Sequence, residues 1–310
     1  MVKKSKIFRK QFVLQLFVLS GIIYLLIFNY IPMLGLVMAF KQYDITSGVA
    51  GIFTSPFVGL QHFREFVNML NFGQLVRNTV AMSVLKLVFA FPLPILFAIM
   101  LHEMKSLKYK RVVQTCSYLP HFISWVVVSG ISFRFLSSSG IINNLLMNIG
   151  AITEAIPFLN SPDYFWGLAV SLDIWKGMGW WTIVFLAAIV GVSEDLYEAA
   201  ALDGAGRLKR IWHITLPSIK PTIVIVLILA LGNLFGGGLS GSNFEQSFLL
   251  GNSMNAPTAE IIQTYVFRVG LSLGRFDYAT AVGLIQSVIS LILIFASNFT
   301  AKKISGTSLF

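Results

Sequence analysis

Four stretches of this 310-residue chain, residues 11–40, 112–133, 222–244 and 278–301, contain no Asp, Glu, Lys or Arg. Two more, about 76–101 and 164–192, are apolar apart from isolated charges. Roughly 20 apolar helical residues cross a hydrocarbon core, and a soluble fold would have to bury runs of this length on every side. The expected fold class is therefore all-α, a polytopic membrane protein with about six transmembrane helices centred near residues 21, 89, 123, 180, 231 and 288. Composition agrees: charged residues make up 12% of the chain, about half the share of a soluble domain, and the mean hydropathy is +0.77.

The net charge of +10 would suggest nucleic acid in a soluble protein. Here the basic residues flank the apolar runs, as membrane topology requires, so no nucleic-acid role is expected. The N-terminus, the 102–111 connection, the 198–221 connection and the C-terminal tail together hold 15 Lys and Arg. The intervening connections, 32–75, 137–162 and 241–276, hold 4. Both termini and the 198–221 connection are thus expected on the cytoplasmic side. Lys3, Lys4, Lys6, Arg9 and Lys10 precede the first run, but it is too long for a signal peptide and no small-residue cleavage pattern surrounds Asn29–Pro32, so it reads as a retained helix. The expected organisation is a basic cytoplasmic tail (1–10), a transmembrane domain (11–301) with an extracellular segment at 32–75, and a second tail (302–310). Turns and a short surface helix near 60–70 are expected in the extracellular segment.

Catalytic signatures are missing from the sequence. No G-x-x-x-x-G-K stretch occurs, and the triglycine 236–238 lacks a following Lys, so it is expected to end the fifth helix. The four histidines, His62, His102, His121 and His213, are scattered with no i,i+4 pair, and Cys116 stands alone. The chain is expected not to be an enzyme, and to hold no metal or cofactor of its own.

The most specific segment is 198–221, EAAALDGAGRLKRIWHITLPSIKP. Ala199, Ala200 and Ala201 favour a helix that permits close contact, while Gly204 and Gly206 can break it. Pro217 and Pro221 can stop one helix and start the next. A short helix, a glycine turn and a second helix outside the bilayer are expected. Glu198-Ala199-Ala200, Asp203-Gly204-Ala205 and Leu216-Pro217 stand at the offsets of the EAA loop, and the segment resembles that element of type I ABC importer permeases.

Charges at membrane depth face a cavity or a partner by default. Asp173 and Lys176 lie three apart on one face and can pair, Trp180 follows on the same side, and Gly177 and Gly179 make room. Indole faces beside hydrogen-bonding groups suit sugar rings. The other reading places the charged pair at the outer interface, with Trp175, Trp180 and Trp181 in an aromatic belt. Asn233, and similarly Gln286, either meets a ligand hydroxyl or bonds a neighbouring helix. Lys86 and Arg134 can snorkel or pair locally.

Beyond the loop, NYIPMLGLVMAFKQYD, SPFVGLQHF, LPHFISWVVVSGI, IWKGMGWWTIVFLAAI and FDYATAVGLIQSVISLILIFASN resemble the maltose-type carbohydrate branch of these permeases, in particular the oligosaccharide subgroup of Gram-positive bacteria. The resemblance implies the type I ABC importer permease fold in a bacterial plasma membrane. Its partners would be a second homologous permease subunit, two ATPase subunits that bind ATP and Mg, and an extracellular sugar-binding lipoprotein. It implies an EAA coupling loop at 194–221, with Glu198, Ala199, Ala200, Asp203, Gly204, Ala205, Leu216 and Pro217 coupling to the ATPase. Asp173, Lys176, Gly177, Trp180 and Asn233 would lie on the sugar pathway. A charged Asp/Lys pair is not a typical maltose contact, which points to a sugar bearing carboxylates for Lys176. A peptide, amino-acid or polyamine cargo and a secondary transporter are the alternatives.

Overall fold

The computed structural model describes residues 2–306 and 308–309; Met1, Thr307 and Phe310, at the ends of the two expected tails, lie outside the described residues. Among those described, no strand forms beyond an isolated bridge between Lys41 and Phe57. Six helices are long and apolar enough to cross a membrane: α1 (Leu14–Phe40), α2 (Phe72–Glu103), α3 (Trp125–Asn148), α4 (Pro162–Val190), α5 (Arg207–Gly232) and α6 (Phe276–Lys303).

Pro32, Pro92, Pro94, Pro217 and Pro221 sit within these helices instead of ending them. The π-turns Leu26–Tyr30, Lys86–Ala90 and Ile211–Thr215 each close with the amide of the next residue, Ile31, Phe91 or Leu216, donating to the carbonyl five back. Pro32, Pro92 and Pro217 follow at once. A proline ring crowds the carbonyl four residues before it, and the wider turn relieves that crowding. Two expectations are corrected on this ground. Pro217 and Pro221 do not separate two helices, because α5 runs from Arg207 through both. Pro32 does not open the extracellular segment, because α1 continues to Phe40. The short helix within that segment is Gln61–Asn68.

Two span positions also shift. The 112–133 run is split: helix Leu107–Tyr118 gives way to the 3-10 turn Leu119–Phe122, and α3 starts at Trp125. Pro120 and Ser124 make the break, the Ser124 hydroxyl accepting the Val127 amide at 3.3 Å as an N-cap. The fifth helix lies earlier than 222–244, since an apolar run does not mark where a helix stops. Gly237, Gly238 and Gly241 have φ of 108°, 64° and 62° and turn the chain after Gly232. The triglycine does not itself end α5, which stops at Gly232 with Asn233 as its cap; the triglycine shapes the turn that follows.

The chain divides into two compact units: Met1–Met69 with Val266–Ile285, and Leu70–Tyr265 with Gln286–Phe310. In the first, Arg275 donates to both oxygens of Glu65 at 2.5 and 2.8 Å and lies 4.6 Å over the Tyr278 ring. Arg275 holds the Glu65 carboxyl below its ordinary 4.5. A carboxyl depressed in the folded state stabilises above its unfolded pKa, and this contribution fades as pH falls below 4.5 through the folded value. Both side chains are 41% exposed, so screening limits the pair to under about 1 kcal/mol. Glu65→Gln should cost no more than that at pH 7 and progressively less as the pH falls below 4.5, measured as the difference in thermal midpoint in detergent.

The second unit is built around α2, α4 and α5. Phe91, Ile95 and Ala98 from α2 pack with Phe185 and Ile189 from α4 and with Ile219 and Val226 from α5. The Phe91 and Phe185 rings meet edge to face at 6.3 Å. Gly179 does not make room for a ligand as its position in the sequence suggests. A Cβ there would stand 2.1 Å from the Ser117 carbonyl oxygen, so the missing side chain lets α4 lie against helix Leu107–Tyr118.

Candidate functional site

Lys176 is the middle residue of the 29-residue helix α4. At 1.5 Å per residue it stands about 20 Å from either end, too far for its side chain to reach an end of the helix. Ser161 caps this helix through the Asp163 amide, and Pro162 takes the first turn, which is why it starts well before Ser171. Asp173 and Lys176 therefore lie well inside α4, away from both of its ends. Lys86 lies equally deep, near the middle of α2.

The expected Asp173–Lys176 pair does not form. Asp173 Oδ1 accepts the Ser240 and Ser242 hydroxyls at 2.6 and 2.5 Å, and Lys86 Nζ lies 3.6 Å away while donating to Ser242 Oγ at 2.8 Å. Lys86 and Asp173 are 2% and 5% exposed. A buried ammonium requires a carboxylate at its own depth, and α2 brings Lys86 to Asp173 where helical spacing alone permits Lys176. Lys86 is the residue of this buried cluster that sequence reasoning passed over. Its mid-span position was the available signal; its partner, 87 residues away, was not visible.

Lys176 instead donates to the His121 carbonyl at 2.7 Å, and its ammonium lies 5.7 Å from the Trp125 ring centre. Trp180 stacks on the His121 ring at 4.4 Å with 4° between planes, and Phe122 meets Trp180 edge-on at 6.0 Å. A cavity of about 90 Å³ is lined by His121, Trp125, Asp173, Lys176, Gly177 and Trp180, with Ser240 at its edge. That volume suits about three waters and is below the roughly 150 Å³ that admits a benzene ring, so a larger ligand requires the helices to separate.

Ser240 and Ser242 lie on the loop that follows α5. Irregular backbone is tolerated at membrane depth only where protein covers it, and side chains supply the missing partners. Asn243 Nδ2 donates to Ser83 Oγ at 2.9 Å, and Gln246 Nε2 to the Ala169 carbonyl at 2.9 Å. Asn233 bonds within its own turn and not to a neighbouring helix. It terminates α5, and its Nδ2 donates to the Gly238 carbonyl at 3.0 Å, shaping the turn that carries Ser240. Gln286 Nε2 is buried without a hydrogen-bond partner.

The 194–221 segment forms helix Glu194–Leu202, which contains Glu198, Ala199 and Ala200, and then a sharp stop. The Ala205 amide donates to the Ala200 carbonyl at 2.8 Å and the Gly204 amide to Ala201 at 3.1 Å, with Gly204 at φ 76°. This is a Schellman cap, and it explains Asp203-Gly204-Ala205: Gly204 alone occupies the left-handed position. Leu202 and Leu208 are 89% and 73% exposed beside exposed Glu198, Ala199 and Asp203. On its other side the helix is anchored. The Tyr197 hydroxyl lies 3.0 Å from Thr215 Oγ1 in the π-turn of α5, and its ring is 5.8 Å from that of His102 on α2. Leu216 packs into the core, while Pro217 is exposed.

Six membrane-length helices, a buried polar site at mid-span and an exposed apolar face on a capped connecting helix define a membrane transport subunit. The family described as "binding-protein-dependent transport system inner membrane component" matches residues 90–306. The chain belongs to that family. It is 44% identical over 291 residues to the polygalacturonan/rhamnogalacturonan transport system permease protein YteP of Bacillus subtilis (strain 168), covering 94% of this chain and 88% of the relative. It is also similar, at 40% identity, to a chain in the crystal structure of a bacterial ABC transporter involved in the import of the acidic polysaccharide alginate. That likeness covers 97% of this chain and 98% of the other, with a TM-score of 0.86. A second crystal structure, of a bacterial alginate ABC transporter in complex with alginate pentasaccharide-bound periplasmic protein, matches at 40% identity and TM-score 0.87 over 98% and 99% of the two chains.

Proposed function

We propose that this chain is the transmembrane permease subunit of an ATP-driven, binding-protein-dependent importer of sugars or oligosaccharides. It would form half of the translocation pathway beside a second homologous permease subunit. A sugar-binding lipoprotein would deliver cargo from outside, and two ATPase subunits would bind ATP with Mg and hydrolyse it; no catalytic residue is assigned to this chain. The observation that carries the reading is the end-to-end likeness to the alginate transporter chain. The aromatic and polar lining of the mid-span cavity supports a sugar cargo, since indole stacks on C–H faces while polar groups meet hydroxyls. A polyamine is disfavoured by the ammonium of Lys176.

The proposed coupling set is Glu198, Ala199, Ala200, Asp203, Gly204 and Ala205, with exposed Leu202 and Leu208 as its apolar contacts. Movement of this helix passes to α5 through Tyr197 and Thr215, and to α2 through His102. Both helices pack on α4, which carries Lys176, Gly177 and Trp180 of the proposed pathway. Only different stabilities of two packed arrangements can drive such a change, so the loop must fit its partner in each. The distribution of basic residues supports a cytoplasmic position for both termini and this loop.

ATP hydrolysis by the reconstituted complex tests the reading. Binding proteins loaded with oligosaccharide should stimulate it, and those loaded with peptide, amino acid or polyamine should not. Stimulation by a peptide or an amine alone would overturn the sugar cargo.

A further inference from the structure

Resting on the sugar-importer reading, we propose that Lys176 is a specificity-determining residue that holds a carboxylate of an acidic oligosaccharide in the pathway. Three charges meet at mid-span, Lys86, Asp173 and Lys176, and two of them cancel. Asp173 is committed to Lys86 and to two serine hydroxyls. The cavity therefore carries the charge of Lys176. Its ammonium has three N–H groups, and one is used, on the His121 carbonyl. Among the described residues, no carboxylate lies within 4 Å of it, and exposed Glu245 and Lys86-paired Asp173 act on it only at longer range. An ammonium at this depth favours an anion, and a neutral sugar supplies none. Trp180, stacked on His121 one helical turn further along α4, offers a ring platform beside that charge. One sugar unit can thus lie on the indole while its carboxylate meets Lys176, through a charge-assisted hydrogen bond. Lys86 makes this selectivity possible by keeping Asp173 from neutralising Lys176.

The test is uptake into proteoliposomes holding the full complex, with one binding protein throughout. A galacturonate tetramer is compared with its methyl ester, a neutral oligosaccharide and a peptide. The native complex should prefer the acid over the ester. Lys176→Gln should reduce that preference about tenfold by lowering uptake of the acid, while Lys176→Arg retains it. Comparing variants on one binding protein cancels the selectivity of the binding protein itself. Equal uptake of acid and ester by the native complex would overturn the role of Lys176 and leave the sugar reading standing. So would loss of the preference in Lys176→Arg as complete as in Lys176→Gln, or an equal fall for acid and ester in Lys176→Gln. Uptake of the peptide alone would instead overturn the sugar reading.

Discussion

Gly204→Arg should abolish sugar-stimulated ATP hydrolysis while the complex still assembles. Gly204 is exposed, and a Cβ built there meets nothing within 4 Å, so the fold tolerates a side chain in space. The conformational cost is that of placing a non-glycine residue at φ 76°, about 1–2 kcal/mol, confined to the end of one short helix. Arginine would project a charged chain from the cap, beside exposed Leu202, where the ATPase is proposed to dock. Gly204→Asn is the control. Asparagine tolerates the left-handed position and projects little, so it should retain most of the stimulation. Assembly is read by co-purification of the subunits, coupling by the ratio of stimulated to basal hydrolysis. An arginine variant that assembles and is stimulated normally would remove this loop from the coupling role.

Breaking the Lys86–Asp173 pair should be the most destabilising change at mid-span. Lys86→Met leaves Asp173 with hydroxyl donors and no cation; Asp173→Asn leaves Lys86 with an ammonium and no anion. Removing one partner of a buried pair costs about 3–5 kcal/mol, since the other charge stays desolvated. That corresponds to a fall of roughly 10 °C in the thermal midpoint of the purified complex. The double variant should recover more than half of the loss, because neither charge remains. Strictly additive losses would show that the two residues stabilise the protein independently.

The contrast between Lys86 and Lys176 shows what a linear reading resolves. Both stood out as charges in apolar runs, which is a one-dimensional property. Their roles depended on which helices lie side by side. The i,i+3 spacing of Asp173 and Lys176 made a pair plausible, yet Asp173 chose a lysine 87 residues away on α2. Asn233 read as a polar group within an apolar helix, and it caps that helix and shapes the turn after it. The loop carrying Ser240 and Ser242 was invisible because its glycine-rich approach is as apolar as the helix before it.

The sequence by itself determined the class, the number of spans and the connecting helix with its glycine stop, because hydropathy, charge placement and a Schellman cap all act between near neighbours. It also misjudged the prolines, whose π-turns depend on helical context. Tertiary structure alone decided that Asp173 pairs with Lys86, that Lys176 turns to the His121 carbonyl, and where irregular backbone follows α5. Those choices depend on distances between helices, and at low dielectric a separation of a few ångströms decides which charges cancel.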